Sequence, residues 1–474
     1  MKNRRAWMWS AITLTGGALA ALACGGDVAE QEGTAEVRVV HAASGAPAVD
    51  IYLAGEEQPV VADLAYGEAS GFAELPAGDL TFEIRPAGAH ATSEPIYSTG
   101  PVAVHAGSRV DAIAAGRLDS TAPDDSFRVL TLVEQPSDAG DGALVRIVHA
   151  GADAPAVAID VGNDGSPEIQ GLARFTDTGG EAIALPADSE LRVGILAGLP
   201  LTAVTSFTVP PLPAGGEALI VASGLLSADP ADEGGFALLA FTEVASARIA
   251  QDPIVYALHA GPDAPAVDLY TPDTEPLALG LSFGQLSAGF RLSPRAQQIN
   301  VWPAGIEHGA APAATATTPA LVAGQRYLVV ASGFLAPETG EQPFGLIAAA
   351  VEFDREDGAA RLRLIHASPD APAVDVGTVH GDALGALLAS DLSYGQATAG
   401  KGVSVTQTPV DLGVAATGTA SIAARFNGVA IEPGARLFAI AAGALAPAAG
   451  RQSFRLMVVN ATSTSWTAAS IHPN

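Results

Sequence analysis

The feature that most constrains this chain is that it repeats itself four times. Val37-Arg38-Val39-Val40-His41-Ala42 returns as Val145-Arg146-Ile147-Val148-His149-Ala150, as Val255-Tyr256-Ala257-Leu258-His259-Ala260 and as Leu362-Arg363-Leu364-Ile365-His366-Ala367. The four histidines stand 108, 110 and 107 residues apart. Each is followed by Ala-Pro-Ala-Val, at 46–49, 154–157, 264–267 and 371–374. An aromatic residue comes next (Tyr66, Phe175, Phe283, Tyr394). Two glycines nine apart follow (Gly107 and Gly116, Gly215 and Gly224, Gly324 and Gly333, Gly434 and Gly443), then a phenylalanine (Phe127, Phe236, Phe344, Phe454). Landmarks kept in one order four times define four copies of one structural unit.

Each unit reads as all-β. Val37-Arg38-Val39 and Leu80-Thr81-Phe82-Glu83-Ile84-Arg85 alternate with period two, as half-buried strands do. Ala218-Leu219-Ile220-Val221-Ala222 and Tyr327-Leu328-Val329-Val330-Ala331 are unbroken apolar runs, which suit central strands covered on both faces. Gly and Pro turn signals recur at sandwich spacing, and no long amphipathic helix appears. The expectation is four tandem immunoglobulin-like β-sandwich domains, over 35–136, 143–247, 252–353 and 359–461, with 462–474 as a C-terminal tail. The seams, at 135–142, about 248–253 and 354–358, are short, so neighbours are expected to form a semi-rigid string.

Residues 1–23 have the form of an export signal: Lys2, Arg4 and Arg5, then an uncharged stretch from Ala6 to Ala23. Ala21-Leu22-Ala23-Cys24 resembles the lipobox of bacterial lipoproteins, though Leu22 stands one place later than that family's leucine. The resemblance implies cleavage before Cys24, the only cysteine, and its lipidation, with 24–34 as a tether. The implied location is the cell envelope, at the outer membrane or cell surface, with the lipid making the membrane contact. Arg4-Arg5 also loosely resembles a twin-arginine signal. One cysteine excludes an internal disulfide. With Lys plus Arg at 23 against Asp plus Glu at 51, the net charge of −28 argues against a nucleic-acid partner.

The turn after each histidine carries the most distinctive chemistry. His366-Ala367-Ser368-Pro369-Asp370-Ala371-Pro372-Ala373-Val374-Asp375 resembles the signature of a bacterial family known only as a domain of unknown function. The third copy, from His259 through Asp263 and Asp268 to Tyr270, is nearly as close. The first copy has Ser44-Gly45 in place of Pro-Asp and keeps Asp50. The second has Asp153 but places Ala158 where the others have aspartate, with Asp160 two residues on. The resemblance extends over nearly all of 35–460 and implies secreted or surface-anchored repeats with no established activity.

Read from the residues, the corner is structural. Proline pre-sets φ, aspartate caps turn amides, and the histidine ring packs while one nitrogen bonds a nearby carbonyl or carboxylate. The sharper alternative makes His and Asp metal ligands, but they supply two where a site needs about three. No GxSxG, HExxH, SxxK or Walker pattern is present, so no catalytic residue and no cofactor is expected. Acid clusters at 124–125, 229–233 and 352–357 lack calcium-loop spacing. Tyr270 and Trp302 could offer a sugar-stacking surface, with a core role the default. The functional expectation is a non-enzymatic envelope array for display, spacing or adhesion. The alternatives are a glycan- or cell-wall-binding array and a metal-dependent hydrolase.

Overall fold

The computed structural model describes residues 33–135, 140–179, 182–306, 311–354, 358–406, 408–419, 421–446 and 449–474. The expected export signal, Cys24 and all but the last two residues of the expected tether lie outside them. No helix occurs among the described residues.

The first copy sets the plan. Its strands are β1 (Thr34–His41), β2 (Val49–Leu53), β3 (Val61–Leu64), β4 (Ala73–Pro76), β5 (Gly78–Pro86), β6 (Tyr97–Val104), β7 (Arg109–Ala115) and β8 (Arg128–Val133). They form two sheets, ordered β4-β1-β7-β8 and β3-β2-β5-β6. β1 runs parallel to β7, with Val37 opposite Val110 and His41 opposite Ala114. The remaining pairings in the copy are antiparallel. Val37, Ile51, Phe82, Ile84 and Val110 fill the space between the sheets. The likeness to immunoglobulin domains holds at the level of two packed sheets. Here, however, the first strand sits inside its sheet beside the seventh.

The other three copies repeat this order. Two of them carry one strand more. Ser246–Ala250 pairs with Ala237–Phe241 in the second copy, and Thr467–Ile471 pairs with Arg455–Asn460 in the fourth. The stretch expected as a tail, 462–474, therefore belongs to the fourth sandwich. Trp466 anchors it, stacking on Tyr256 of the third copy with ring centroids 4.1 Å apart.

The copies do not follow one another as beads. The β4-β1-β7-β8 sheet of the first copy lies face to face with its counterpart in the second. Val40, Ile113 and Leu132 from one side meet Val148, Val221, Leu239 and Phe241 from the other. The third and fourth copies pair in the same way, joining Leu258, Leu328, Val330 and Ile347 to Ile365, Phe438, Ile440 and Val459. This is why the central strands are apolar without a break. In β7, Val110 and Ala112 face their own sandwich while Ile113 and Ala115 face the neighbour.

The pairing is reciprocal. The residue three before the histidine reaches across to a carbonyl beside the partner copy's outer strand. Arg38 donates to Thr242 O (3.3 Å), Arg146 to Val133 O (2.8 Å) and Tyr256 to Thr464 O (2.6 Å), and Arg363 donates to Ala350 O. Arg38, whose place in an alternating strand suggests solvent, is buried against Asp111 at 2.6 Å.

Candidate functional site: the histidine corners

Three of the four histidines end the first strand of their copy, His366 stands one residue before its end, and all are essentially inaccessible, at 0–1% exposure. Nε2 lies 3.0 Å from Pro47 O in the first copy. It lies 2.9 Å from Pro155 O, Pro265 O and Pro372 O in the others. In three copies Nδ1 accepts a backbone N–H: from Gly151 at 3.4 Å, Gly261 at 3.2 Å and Ser368 at 3.3 Å. A ring that accepts at Nδ1 carries its proton on Nε2, which donates to the proline carbonyl. In those three copies neither nitrogen then has a free lone pair for a metal or for a substrate proton; in the first copy His41 Nδ1 is buried without a hydrogen-bond partner. Burial pushes all four imidazoles below the ordinary histidine range, while the bond to the proline carbonyl works the other way. They are neutral clasps holding the turn against the strand it leaves.

The aspartates do not join the histidines. Asp153, Asp263 and Asp370 bind the loop after the second landmark glycine. Each carboxylate accepts two consecutive amides: Leu226 and Ser227 at 2.7 and 2.9 Å, Leu335 and Ala336 at 2.8 and 3.0 Å, Leu445 and Ala446 at 2.8 and 3.1 Å. That glycine cannot be replaced without moving backbone. A Cβ on Gly333, at φ +94°, would stand 2.2 Å from Pro343 O.

The second aspartate of the motif ties two irregular positions of the other sheet. Asp50 accepts Asp63 N (2.7 Å) and Gly88 N (2.9 Å), and Asp268 accepts Gly280 N (2.6 Å) and Gly305 N (3.0 Å). Asp375 accepts Asp391 N (2.8 Å) and Gly418 N (3.0 Å). All six amide donors have positive φ. The carboxylate thus fixes a left-handed bulge and a left-handed turn at once. In the second copy Asp160 instead caps its own loop, through Asp164 N and Gly165 N. The turn that has lost its clasp has changed as well: Leu199 stands fully exposed at its tip.

Among the described residues no group of three or more His, Cys, Asp or Glu is placed to hold a metal ion. The His–Asp metal site therefore has no geometry behind it. Two of the acid loops are engaged in ion pairs, Asp229 with Arg326 and Asp354 with Arg361, and in the third Asp125 accepts the Ser120 hydroxyl (2.9 Å). Residues 355–357 lie outside the described set. Tyr270 and Trp302 are buried edge to face at 5.6 Å, so they form core and no sugar platform.

The landmark aromatics carry information that their spacing did not reveal. Tyr66 OH lies 3.1 Å from Ser223 Oγ of the second copy, and that hydroxyl donates to Ala42 O of the first (2.7 Å). In the second pair Ser332 donates to Ala367 O (2.7 Å), with Tyr394 at the position that Tyr66 holds in the first pair. The reciprocal positions hold Phe175 with Ala115, and Phe283 with Ala442, inside the shared cores. Tyrosine faces serine and phenylalanine faces alanine once in each pair. That complementation was readable in the sequence only with the pairing known.

The molecule is thus a tandem array of two-sheet sandwiches whose signature residues are spent on holding turns. The chain belongs to the family described as Domain of unknown function (DUF4397), which matches residues 35–160 and 253–377. Each match runs from the first strand of one copy through the histidine corner of its partner. No curated protein matches the chain. Among solved structures, the Bacillus anthracis TIE protein matches at 10% identity and a TM-score of 0.14, over 91% of this chain and 65% of that one. The chain therefore spans less than two thirds of that protein's length.

Proposed function

We propose that this protein is a non-enzymatic, lipid-anchored component of the bacterial cell envelope, at the outer membrane or cell surface, whose paired sandwiches serve display and spacing. The observation that carries the reading is the commitment of the motif: apart from His41 Nδ1, the histidine and aspartate groups of the repeated signature are bound to backbone amides and carbonyls. What the family signature preserves is then a rigid support, with function left to loops and reach. Cys24 supplies the membrane attachment, since acyl chains gain about 0.8 kcal/mol per buried CH₂. Net charge keeps nucleic acid out of the list of partners. Adhesion to a surface protein is the second reading. The apolar tip Leu199-Pro200-Leu201 favours it, because a fully exposed leucine on a hairpin gains by being covered.

The test is Cys24→Ala in the native host. Acyl labelling should vanish and the protein should move from the membrane fraction to the soluble one. Membrane retention with unchanged labelling would overturn the anchor. Hydrolysis in a broad ester, peptide and glycoside screen, lost on substituting a motif histidine in a folded variant, would overturn the non-enzymatic reading.

A further inference from the structure

Three of the four sandwiches are closed by the same two side chains at the end remote from the histidine corner. One is Leu75, Leu292 or Val405, beside the start of the first strand; the other is Val104, Leu321 or Ile431, three residues before the first landmark glycine. All six are buried. Their counterparts in the second copy, Leu185 and Leu212, are only half-buried, with Pro186 and Pro210 exposed beside them. The core position held by Phe82, Ile299 and Leu412 in the other copies is Val193 here, the smallest of the four.

An open base and a missing side chain leave a cavity of about 50 Å³ between the two sheets, which Val193 and Ile220 line as far as His149. One water needs roughly 10–15 Å³, but this cavity gives water nothing to bond. Its one polar lining residue, His149, has both nitrogens engaged by Gly151 and Pro155. Sheets pack about 10 Å apart, so the space is a slot one side chain thick. It offers polar groups no partner, and its narrow apolar depth suits a single unbranched hydrocarbon chain.

We propose that the second copy binds the end of an unbranched aliphatic chain, inserted through the base between Leu185 and Leu212, with any polar head left at the proline rim. A free alkyl compound and the tail of a membrane lipid share this chemistry. The inference does not depend on the lipid at Cys24.

The test is methyl NMR on the full chain, with 1-octanol in one arm and phosphatidylcholine vesicles in the other. Octanol should shift the Ile195 and Ile220 methyl signals saturably and leave the equivalent signals of the other copies in place. The same shifts with vesicles would identify a lipid tail as the source; shifts with octanol alone would identify a free chain. Val193→Phe restores the side chain of the first copy and should weaken binding by about tenfold or more. Val193→Leu is a milder filling for the case in which Phe overpacks. Absence of shifts in both arms overturns the proposal, as does an octanol response unchanged in both filled variants.

Discussion

Two kinds of joint hold this chain together. Within each pair, the copies meet through sheet faces whose central residues are wholly inaccessible, among them Val40, Ile113, Val148, Val221 and Leu239. Each such side chain stabilises the joint by about 1.5–3 kcal/mol relative to exposure. Between the pairs, the second and third copies meet through polar groups. Asp252 accepts Ser206 Oγ (2.6 Å) and Thr208 Oγ1 (2.7 Å), while Arg291 donates to Asp252 O (2.6 Å) and Gln251 Oε1 (2.9 Å). Arg295–Glu190 and Arg326–Asp229 add ion pairs. Polar contacts have water as an alternative partner once a joint opens and apolar ones do not, so the pair is expected to be the more rigid unit and the middle joint the place where the chain yields. The family matches begin at 35 and at 253, once per pair, and so follow the same unit.

The apolar joint should break hardest. Phe438→Ala removes a fully buried ring from the core shared by the third and fourth copies and should cost about 3–5 kcal/mol. Calorimetry should show those two copies melting together at a lower temperature, with the first pair unmoved. If the fourth copy alone shifts, the pair is not the cooperative unit.

The middle joint should give a smaller energetic effect and a larger geometric one. Asp252→Ala leaves the hydroxyls of Ser206 and Thr208 and the ion-pairing Arg192 (3.8 Å) without their carboxylate, while the bond from Arg291 to Asp252 O survives, at a cost of about 1.5–3 kcal/mol for charged hydrogen bonds. Both pairs should keep their melting temperatures within a few degrees, while small-angle scattering reports a broader distribution of pair-to-pair distances. An unchanged distribution would show that the joint is held elsewhere.

The corners were legible in the sequence because proline, glycine and aspartate carry backbone information wherever they stand. The sequence left a backbone carbonyl or an aspartate as the histidine's partner, and the structure gives the carbonyls of Pro47, Pro155, Pro265 and Pro372. The pairing was not legible. Val221 and Val330 read the same whether the second face of their strand meets a sheet of the same domain or of a neighbour. Arg38 and Arg363 look like the polar half of an alternating strand, yet they span the joint. The added strands, Ser246–Ala250 and Thr467–Ile471, each carry a single large apolar residue, Ile249 or Ile471, among small and polar ones at a sheet edge, so hydrophobic period could not find them. Ala158 did flag the second copy, and the altered turn at Leu199 is the structural consequence.

Acidification should weaken the corners ahead of the polar joint. Each histidine is held below its unfolded value of 6.5, so below that pH the unfolded chain binds the extra proton and the native one resists it. Stability is therefore complete above about pH 6.5 and falls as pH drops toward the lowered native values, by up to about 1.4 kcal/mol per pH unit for each copy. Denaturant midpoints taken between pH 8 and 5 check this. His366→Gln should flatten the slope for the second pair while lowering its plateau. A midpoint independent of pH over that range would mean that the buried rings protonate without cost.

The smallest effect tests the reciprocity of the pair. Tyr66→Phe removes one hydroxyl while Ser223 keeps its bond to Ala42 O, so the expected loss is only about 0.5–1.5 kcal/mol. Ser223→Ala alone should cost more, since it leaves both Tyr66 OH and Ala42 O unsatisfied inside the joint. The double variant recreates the phenylalanine–alanine arrangement that Phe175 and Ala115 already occupy across the same interface. Its total cost should fall below the sum of the single costs, and the coupling from that cycle measures how far tyrosine and serine act as one unit. Strict additivity would separate the two hydroxyls energetically and leave the aromatic alternation as packing alone.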